Sequence, residues 1–267
     1  MKINTYEEII NSVSKEKFIV YGKGAHADKF LHFIRRLGFG DNYLYSVVSR
    51  KRENTNDCLI QNVNRNQLVI VAAHDKNSKE MEQTLKELGF KNYYLIYPHL
   101  IEFGCGLPYK KNVDMNVSEF LKDCLYGNYL SIIYLAIDDI VNSNGIGCDL
   151  YIKYMNIYSH PDTSKKRLET LVDRVSHISE CYEPEPYNIK VNPKECFLLD
   201  GSHRTILAKY FGIDILKADL YDISFEQYDL FYGGGVYLSD EALSKYFCQD
   251  ECELIINTRI NKLGQKS

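Results

Sequence analysis

The first hundred residues alternate short apolar segments with helical patterns. The apolar segments are 18–21, 43–49, 67–73 and 92–97, and the third of them, QLVIVAA, is almost entirely apolar. A strand without alternation of apolar and polar residues is typical of a parallel sheet buried on both faces. Apolar residues at helical spacing separate the segments. The sequence therefore predicts an α/β fold with a Rossmann-like parallel sheet in a first domain, residues 1–100.

A glycine-rich turn follows the first predicted strand. The segment GKGAHA (22–27) fits the pattern G-x-G-x-x-A, in which Gly22 and Gly24 allow a tight turn and a close approach to phosphate. The second strand ends at Ser49 and Arg50, where an NAD site needs a carboxylate for the ribose hydroxyls. We therefore expect no NAD binding. A ligand site at the two glycines and a purely structural or docking role both stay open.

Composition limits the classes of protein that this chain can represent. Its 267 residues are enough for two domains with sizeable cores, and its net charge of −4 argues against general attraction to nucleic acid. The eight cysteines contain no CxxC pair, so reduced, mostly buried thiols are expected. No segment approaches the length of an apolar membrane span. We expect a cytoplasmic protein that binds neither nucleic acid nor membrane.

The remaining chain divides at a cluster of turn residues. Residues 101–147 are predicted to form a helical bridge that ends at the turn NSNGIG (142–147), so the domain boundary is expected between Asn142 and Asp149. A second domain, 148–267, follows with a C-terminal extension. Its predicted elements are a strand (149–157), a helix (164–178), strands (187–192 and 196–200), a helix (203–212) and a strand (215–223).

Polar residues are concentrated at one strand-to-helix junction of this second domain, in the segment FLLDGSHRT. Asp200 ends the strand, Gly201 allows a sharp turn, and Ser202, His203 and Arg204 fall in the first helical turn. Unpaired N–H groups and the helix dipole favour an anion there. Arginine can hold phosphate oxygens with two hydrogen bonds, and Asp200 could act as general base or as a Mg²⁺ ligand. The alternative is structural: Asp200 caps the helix, and Arg204 forms a surface ion pair.

The order and spacing of these elements resemble a known family. Residues 149–223, with RLETLVDRV, YNIKV, LLDGSHRT, AKYFGI and ILKADLY in sequence, resemble the ParB/sulfiredoxin-like nucleotide-binding fold, most closely its free serine kinase branch. The resemblance covers under a third of the chain. It implies an α+β domain, ATP or ADP bound at Gly201–Arg204, and Mg²⁺ held by Asp200.

Three departures from the family narrow the expected chemistry. Sulfiredoxin has a cysteine where Ser202 stands, so the reductase activity is not expected. No helix-turn-helix region follows the nucleotide fold, which argues against DNA partitioning. The serine kinases end their first strand in a His-Glu pair, whereas this chain has His160 followed by Pro161, with Asp162 next. Either Asp162 or Glu169 replaces that acid, or the chemistry is lost. His160 could equally be a packing residue and Glu169 a solvated one.

Together these features predict a nucleotide-dependent kinase that phosphorylates a hydroxyl of an amino-acid-like or sugar-like small molecule. The candidate catalytic residues are Asp200, Asp162, His160 and Glu169. The first domain resembles small Rossmann-like domains of surface-polysaccharide enzymes, sugar acyltransferases and some methyltransferases, which implies a setting in bacterial polysaccharide or specialised metabolism. A non-catalytic nucleotide-binding regulatory module is the alternative, and a DNA-partitioning relative is a weaker one. A homodimer is left open.

Overall fold

The computed structural model divides the chain into two compact units, Met1–Gly106 and Leu107–Ser267. It describes residues 5–50, 56–73, 75–97, 99–143, 145–158, 161–180, 188–232 and 238–266. Each unit has its own sheet, and the described strands form no continuous sheet across the two. No helix in the described part of the chain is long and apolar enough to cross a membrane.

The first unit is built around a five-stranded sheet in the order β3-β2-β1-β4-β5, with every described pair of strands parallel. This is the order of a Rossmann-like sheet, with the topological switch point between β1 and β4. Its elements are α1 (Tyr6–Lys15), β1 (Phe18–Tyr21), α2 (Ala25–Arg36), β2 (Tyr43–Val48), β3 (Cys58–Leu59), β4 (Leu68–Val71), α3 (Asp75–Glu87), β5 (Tyr93–Leu95) and α4 (Leu100–Cys105).

Both faces of this sheet are covered, which explains its apolar strands. In β1, Phe18 and Val20 point into one hydrophobic cluster and Ile19 and Tyr21 into the other. The first cluster includes Phe30 of α2, and the second lies on the side of α3. The α/β fold with a parallel sheet, predicted from the sequence, is confirmed for this part of the chain.

The second unit contains a four-stranded mixed sheet in the order β6-β9-β7-β8. Strands β7 and β9 are parallel, whereas β6 pairs antiparallel with β9, and β8 antiparallel with β7. Its elements are β6 (Lys110–Asn116), α5 (Val117–Lys122), α6 (Gly127–Asn142), α7 (Gly147–Tyr158), α8 (Pro161–Glu180), β7 (Ile189–Asn192), β8 (Phe197–Asp200), α9 (Ser202–Tyr210), β9 (Ile215–Leu220), α10 (Phe225–Tyr232), α11 (Asp240–Leu243) and α12 (Gln249–Leu263).

The strand predicted at 149–157 is wrong, because this segment forms helix α7. Its buried residues are Leu150, Tyr151, Tyr154 and Met155, and this spacing fits the 3.6-residue period of a helix. An alternating pattern would have buried Ile152 with Leu150 and Tyr154, but Ile152 is only partly buried. The later elements of the predicted second domain, from the helix α8 to the strand β9, have the predicted types.

Residues 101–147 do not form a separate helical bridge. Helix α4 belongs to the first unit and is followed by its C-cap residue Gly106, which adopts a φ of 82°. Beyond it, β6 pairs with β9 of the second unit, and α6 packs against α7, α9 and α12. The division between compact units therefore falls at residues 106 and 107 rather than between Asn142 and Asp149.

A polar cluster joins the C-terminal helix to the centre of the second unit. The guanidinium of Arg259 on α12 donates to both carboxylate oxygens of Asp240, at 2.5 and 2.9 Å, and to Oδ1 of Asn128 on α6 at 3.1 Å. The amide of Asn128 in turn donates to Asp240 and to the carbonyl of Leu238. The arginine and the amide lower the pKa of Asp240. Helix α12 is thus a part of the second unit rather than a loose extension.

Candidate functional site

The strand-to-helix junction predicted from FLLDGSHRT is present between β8 and α9. Phe197 to Leu199 are buried, and Asp200 at the carboxyl end of β8 has a side chain that is 49% exposed. Gly201 turns the chain with a φ of 100°. A Cβ at this position would lie 2.5 Å from Cγ2 of Ile189 and 3.3 Å from Nη2 of Arg204. Glycine is therefore required here by both conformation and space.

The N-terminus of α9 has no side-chain cap among the described residues. Gly201 is the N-cap residue, and the amide of Thr205 makes the first intrahelical bond to its carbonyl. Asp200 is consequently not the capping residue that one interpretation of the sequence proposed. The amides of Ser202, His203 and Arg204 lie in the first turn, where the backbone carries a partial positive charge. Such a turn favours an anionic ligand.

Asp200 and Arg204 form a loose ion pair across this turn. Nη2 of Arg204 lies 3.4 Å from Oδ2 of Asp200, and the arginine side chain is 14% exposed. Charge-assisted hydrogen bonds are usually about 2.7–2.9 Å long. The Asp200–Arg204 pair is therefore weak.

His203 is held by a tyrosine and is uncharged. Its Nε2 lies 2.7 Å from the hydroxyl of Tyr151 on α7, and the ring also meets Tyr129 of α6 edge to face. Burial lowers the pKa of His203 to about 3, and the positive charges of Arg174 and Arg167 contribute to this lowering. The imidazole is thus neutral near pH 7, and it can offer a hydrogen bond but no charge to a ligand.

Two arginines of α8 were not among the site residues predicted from the sequence. Arg167 and Arg174 are seven residues apart, so they lie on the same side of the helix. Nη1 of Arg167 lies 3.2 Å from Sδ of Met155 on α7. The seven-residue spacing of the two arginines in RLETLVDR was visible in the sequence. It could be connected to His203 only once the packing of α8 against α7 was known.

The other predicted catalytic residues are not brought to the same place. Asp162 and Glu169 are exposed. At about 100° per residue, both lie on the side of α8 opposite the buried Leu171. His160 lies outside the described residues. Asp200 is therefore the one predicted acid that the described structure places beside Ser202, His203 and Arg204.

No ready-made metal centre is present among the described residues, since no three His, Cys, Asp or Glu side chains form a group that could hold an ion. This does not conflict with Mg²⁺ bound to Asp200. Magnesium in nucleotide sites usually keeps several waters and is held by one or two carboxylates together with phosphate oxygens.

The glycine turn of the first unit is packed against its own fold. Gly22 has a φ of 126°, and a Cβ there would lie 2.7 Å from the carbonyl oxygen of Ala72, which follows β4. Gly24 is the N-cap residue of α2, and a Cβ added to it would face open space. The backbone of the chain thus accounts for Gly22 without a ligand.

The lysine between these glycines is neutralised internally. Nζ of Lys23 lies 2.6 Å from Oδ1 of Asp57, whose side chain is 5% exposed. Ser49, which follows β2, hydrogen-bonds with the hydroxyl of Tyr21. A carboxylate does therefore reach the glycine turn, but it comes from the residue before β3 and is already paired.

An open groove of about 650 Å³ lies beside α2 in the first unit. It is lined by Lys23, Ala27, Asp28, Leu31, Arg35, Tyr43, Tyr45, Ser46, Asn56 and Cys58. Lys23 and Ala27 of the GKGAHA segment line the groove but Gly22 and Gly24 do not, so the groove borders the glycine turn without being formed by its glycines.

Comparisons of the chain with protein families, with curated proteins and with solved structures gave no significant match. The geometry around Asp200 is therefore the basis for a functional proposal.

Proposed function

We propose that the second unit is a nucleotide-dependent phosphotransferase of the ParB/sulfiredoxin-like fold, which transfers a phosphoryl group to a hydroxyl of an amino-acid-like or sugar-like metabolite. The observation that carries the proposal is the N-terminus of α9, which makes no side-chain cap hydrogen bond in the described structure and is flanked by Arg204 and by the half-exposed carboxylate of Asp200. Helix N-termini of this kind bind phosphate through backbone N–H groups.

The residues at this junction have distinct roles in the proposal. The amides of Gly201–Arg204 and the guanidinium of Arg204 hold the phosphates of ATP or ADP, and Arg204 leaves its loose contact with Asp200 to do so. Asp200 then accepts the proton of the substrate hydroxyl. At the same time the hydroxyl oxygen forms a bond to phosphorus, and the bond between phosphorus and the departing nucleotide breaks. In the alternative role, Asp200 would hold Mg²⁺, which would neutralise charge on the phosphates.

A non-catalytic nucleotide-binding module is the second candidate. It is favoured by the positions of Asp162 and Glu169, both exposed on the side of α8 away from its buried residues. If Asp200 binds the metal, the described structure places no further predicted acid beside the junction to take the proton. A cytoplasmic enzyme of bacterial polysaccharide or specialised metabolism is proposed only if the second unit is the phosphotransferase.

The test is calorimetric titration of ATP and ADP, with Mg²⁺, into the full chain and its Arg204→Gln variant. A charge-assisted hydrogen bond contributes about 1.5–3 kcal/mol, so Arg204→Gln should weaken binding roughly ten- to a hundredfold. Lys262→Gln, an exposed change at the end of α12, is the matched control for lost charge. Equal affinity of the wild-type chain and Arg204→Gln would overturn the site.

Turnover separates the two candidate functions. The chain is incubated with the bound nucleotide and a panel of hydroxyl-bearing amino acids and sugars, and nucleotide consumption is measured. An enzyme consumes nucleotide only with a substrate, and Asp200→Asn should then reduce turnover more than affinity. Binding without consumption across the panel would support the regulatory module.

A further inference from the structure

The open groove beside α2 in the first unit has the volume of a ligand site. At about 650 Å³ it falls within the roughly 300–1,000 Å³ that is usual for ligand pockets. The buried side chains of Ala27 and Leu31 line it from α2. Tyr43 and the 41% exposed Tyr45 line it from β2. The groove therefore offers a ligand an aliphatic side and an aromatic side.

An irregularity in β2 turns side chains toward this groove. Phe18 of β1 lies opposite Tyr43. Two residues further along β1, Val20 lies opposite Ser46, which is three residues further along β2. The extra residue in β2 is a β-bulge, and bulges re-aim side chains. It brings Tyr43 and Ser46 to the same face, where their hydroxyls form a hydrogen bond of 2.9 Å. The bulge thus accounts for the presence of Tyr43, Tyr45 and Ser46 together in the lining of the groove.

Two side chains of opposite charge stand two helical turns apart along the groove. Asp28 lies in the first turn of α2 and Arg35 in its last turn, and both line the groove. Seven residues correspond to about 10 Å along a helix axis. Both side chains are exposed, and neither forms an ion pair with another described residue. Lys23 also lines the groove, but its ammonium is paired with Asp57. The charges left for a ligand are therefore one carboxylate and one guanidinium.

The sheet edge beside the groove can accept a further strand. Strand β3 pairs with β2 only at Val47 and Val48. Within the described ranges of the chain, Tyr43–Ser46 have no strand on their outer side. A strand edge of this kind presents N–H and C=O groups with which an extended peptide can pair. An extended peptide spans about 3.4 Å per residue, so three residues match the separation of Asp28 and Arg35.

We propose that the groove of the first unit binds an extended peptide of about three residues with free termini, which pairs with the outer edge of β2. The ammonium group of the peptide lies at Asp28 and its carboxylate at Arg35, while its central side chain packs between Leu31 and Tyr45. The reverse direction would place like charges together. Helix α2 runs opposite to the parallel strands that it connects, so the peptide is antiparallel to β2. A free amino acid is too short to reach both charged residues.

The probe for this site is the tripeptide Ala-Leu-Ala, titrated by calorimetry into the full chain at constant ionic strength. Its N-acetylated and C-amidated forms each lack one charge. Each blocked form should bind at least about threefold more weakly, which is the size expected for ion pairs at an exposed surface. The dipeptide Ala-Leu and the pentapeptide Ala-Leu-Ala-Ala-Ala should also bind more weakly, because their charged ends do not match the spacing of the two residues.

Two variants connect each peptide terminus with its residue in the groove. In Arg35→Gln, amidation of the peptide should cause no further loss of affinity, whereas acetylation should still weaken binding. In Asp28→Asn the pattern should be reversed. Arg36→Gln is the matched control, since this exposed arginine is adjacent in sequence but does not line the groove. Its affinities should equal those of the wild type. Circular dichroism verifies folding, and the blocked peptides decide the question on the wild-type chain if a variant unfolds.

The inference concerns the first unit and does not depend on the phosphate site of the second, which nucleotide titrations decide separately. Equal affinity for the free and blocked tripeptides overturns it, as does the absence of binding for all of them. Stronger binding of the doubly blocked peptide also overturns it, because an internal segment of a longer chain would then be the occupant. A dimer in sedimentation that Tyr45→Asp dissociates would place a second copy of the chain in the groove and would likewise exclude the free peptide.

Discussion

The two units each contain a strand that runs through a glycine of positive φ into a helix, but the two junctions differ in what surrounds them. Gly22 has a φ of 126° and Gly201 a φ of 100°. Lys23 pairs at 2.6 Å with an Asp57 that is 5% exposed, whereas Arg204 lies 3.4 Å from an Asp200 that is 49% exposed. The carboxylate of the first junction is enclosed by its own unit, and that of the second is half open to solvent.

The comparison separates what the local sequence of a junction provides from what neighbouring elements contribute through tertiary packing. Both junctions carry a glycine, a cation and a helix N-terminus without a side-chain cap in the described structure. Neighbouring elements decide their use: Asp57 neutralises the first junction, and the arginines of α8 add positive charge near the second. A glycine motif alone therefore does not identify a ligand site in this chain.

The largest effect is expected from Gly22→Ala. The new residue would hold a left-handed conformation, which costs about 1–3 kcal/mol, and its Cβ would also meet the backbone of Ala72 at 2.7 Å. We expect the first unit to lose at least that free energy of unfolding in urea denaturation followed by circular dichroism. Gly24→Ala, with φ at −107° and open space around it, should cost under about 1 kcal/mol. Similar losses for the two variants would contradict the packing account of Gly22.

The next largest effect is a dependence of the unfolding free energy on pH, which arises from His203 at the second junction. An unfolded histidine has a pKa near 6.5, whereas the pKa of His203 in the fold is lowered to about 3 by burial and by Arg174 and Arg167. The unfolded chain therefore binds a proton that the fold excludes. The stabilising contribution is complete above pH 6.5 and falls, by up to about 1.4 kcal/mol per pH unit, as the pH drops toward 3.

This dependence is measured as the slope of the unfolding free energy between pH 7 and pH 5. His203→Gln should reduce the slope, whatever its effect on stability at pH 7. Tyr151 and Tyr129 also face the imidazole, but burial raises their pKa values, so they do not titrate in this range. An unchanged slope in His203→Gln would mean that the folded and unfolded chains protonate this imidazole at the same pH, which would contradict its lowered pKa.

The fold of the first unit could be predicted well because several of its strands carry the same apolar pattern. Strands β1 and β4 are buried on both faces, so their runs of apolar residues have one interpretation. The segment DLYIKYMNI has apolar residues at both strand and helix periods, and the packing of α7 against α6 and α8 decides between them. Local pattern could not contain that information.

The candidate site was predicted in part for a related reason. Asp200, Gly201 and Arg204 are adjacent in sequence, and the backbone turn brings them together. Arg167 acts electrostatically on His203 because α7 contacts α8 through Met155 and α9 through Tyr151. Asp57 similarly meets Lys23 from 34 residues away. Such contacts depend on tertiary packing, which residue spacing does not specify.

A smaller effect is expected from Lys23→Gln, which tests the first junction directly. The variant leaves a buried carboxylate without its ammonium partner. A fully buried pair would cost about 3–5 kcal/mol to break, but the lysine side chain is 35% exposed, so about 1–2 kcal/mol is expected. Calorimetry should find nucleotide and pyrophosphate affinities unchanged in this variant. A tenfold loss would place a phosphate at the first junction and remove the contrast between the two.

The smallest effects are expected from the acids of α8. Asp162→Asn and Glu169→Gln change exposed side chains on the side of the helix away from Leu171, whereas Asp200→Asn changes the carboxylate beside Arg204. A general base must come within hydrogen-bond reach of the proton that it removes. Nucleotide turnover with an accepted substrate should therefore fall by less than about twofold for the first two variants and by far more for Asp200→Asn. A large loss for Asp162→Asn would place the base on α8, ahead of the junction. The two units would then differ in the functional residues that their helices carry as well as in the surroundings of their glycine turns.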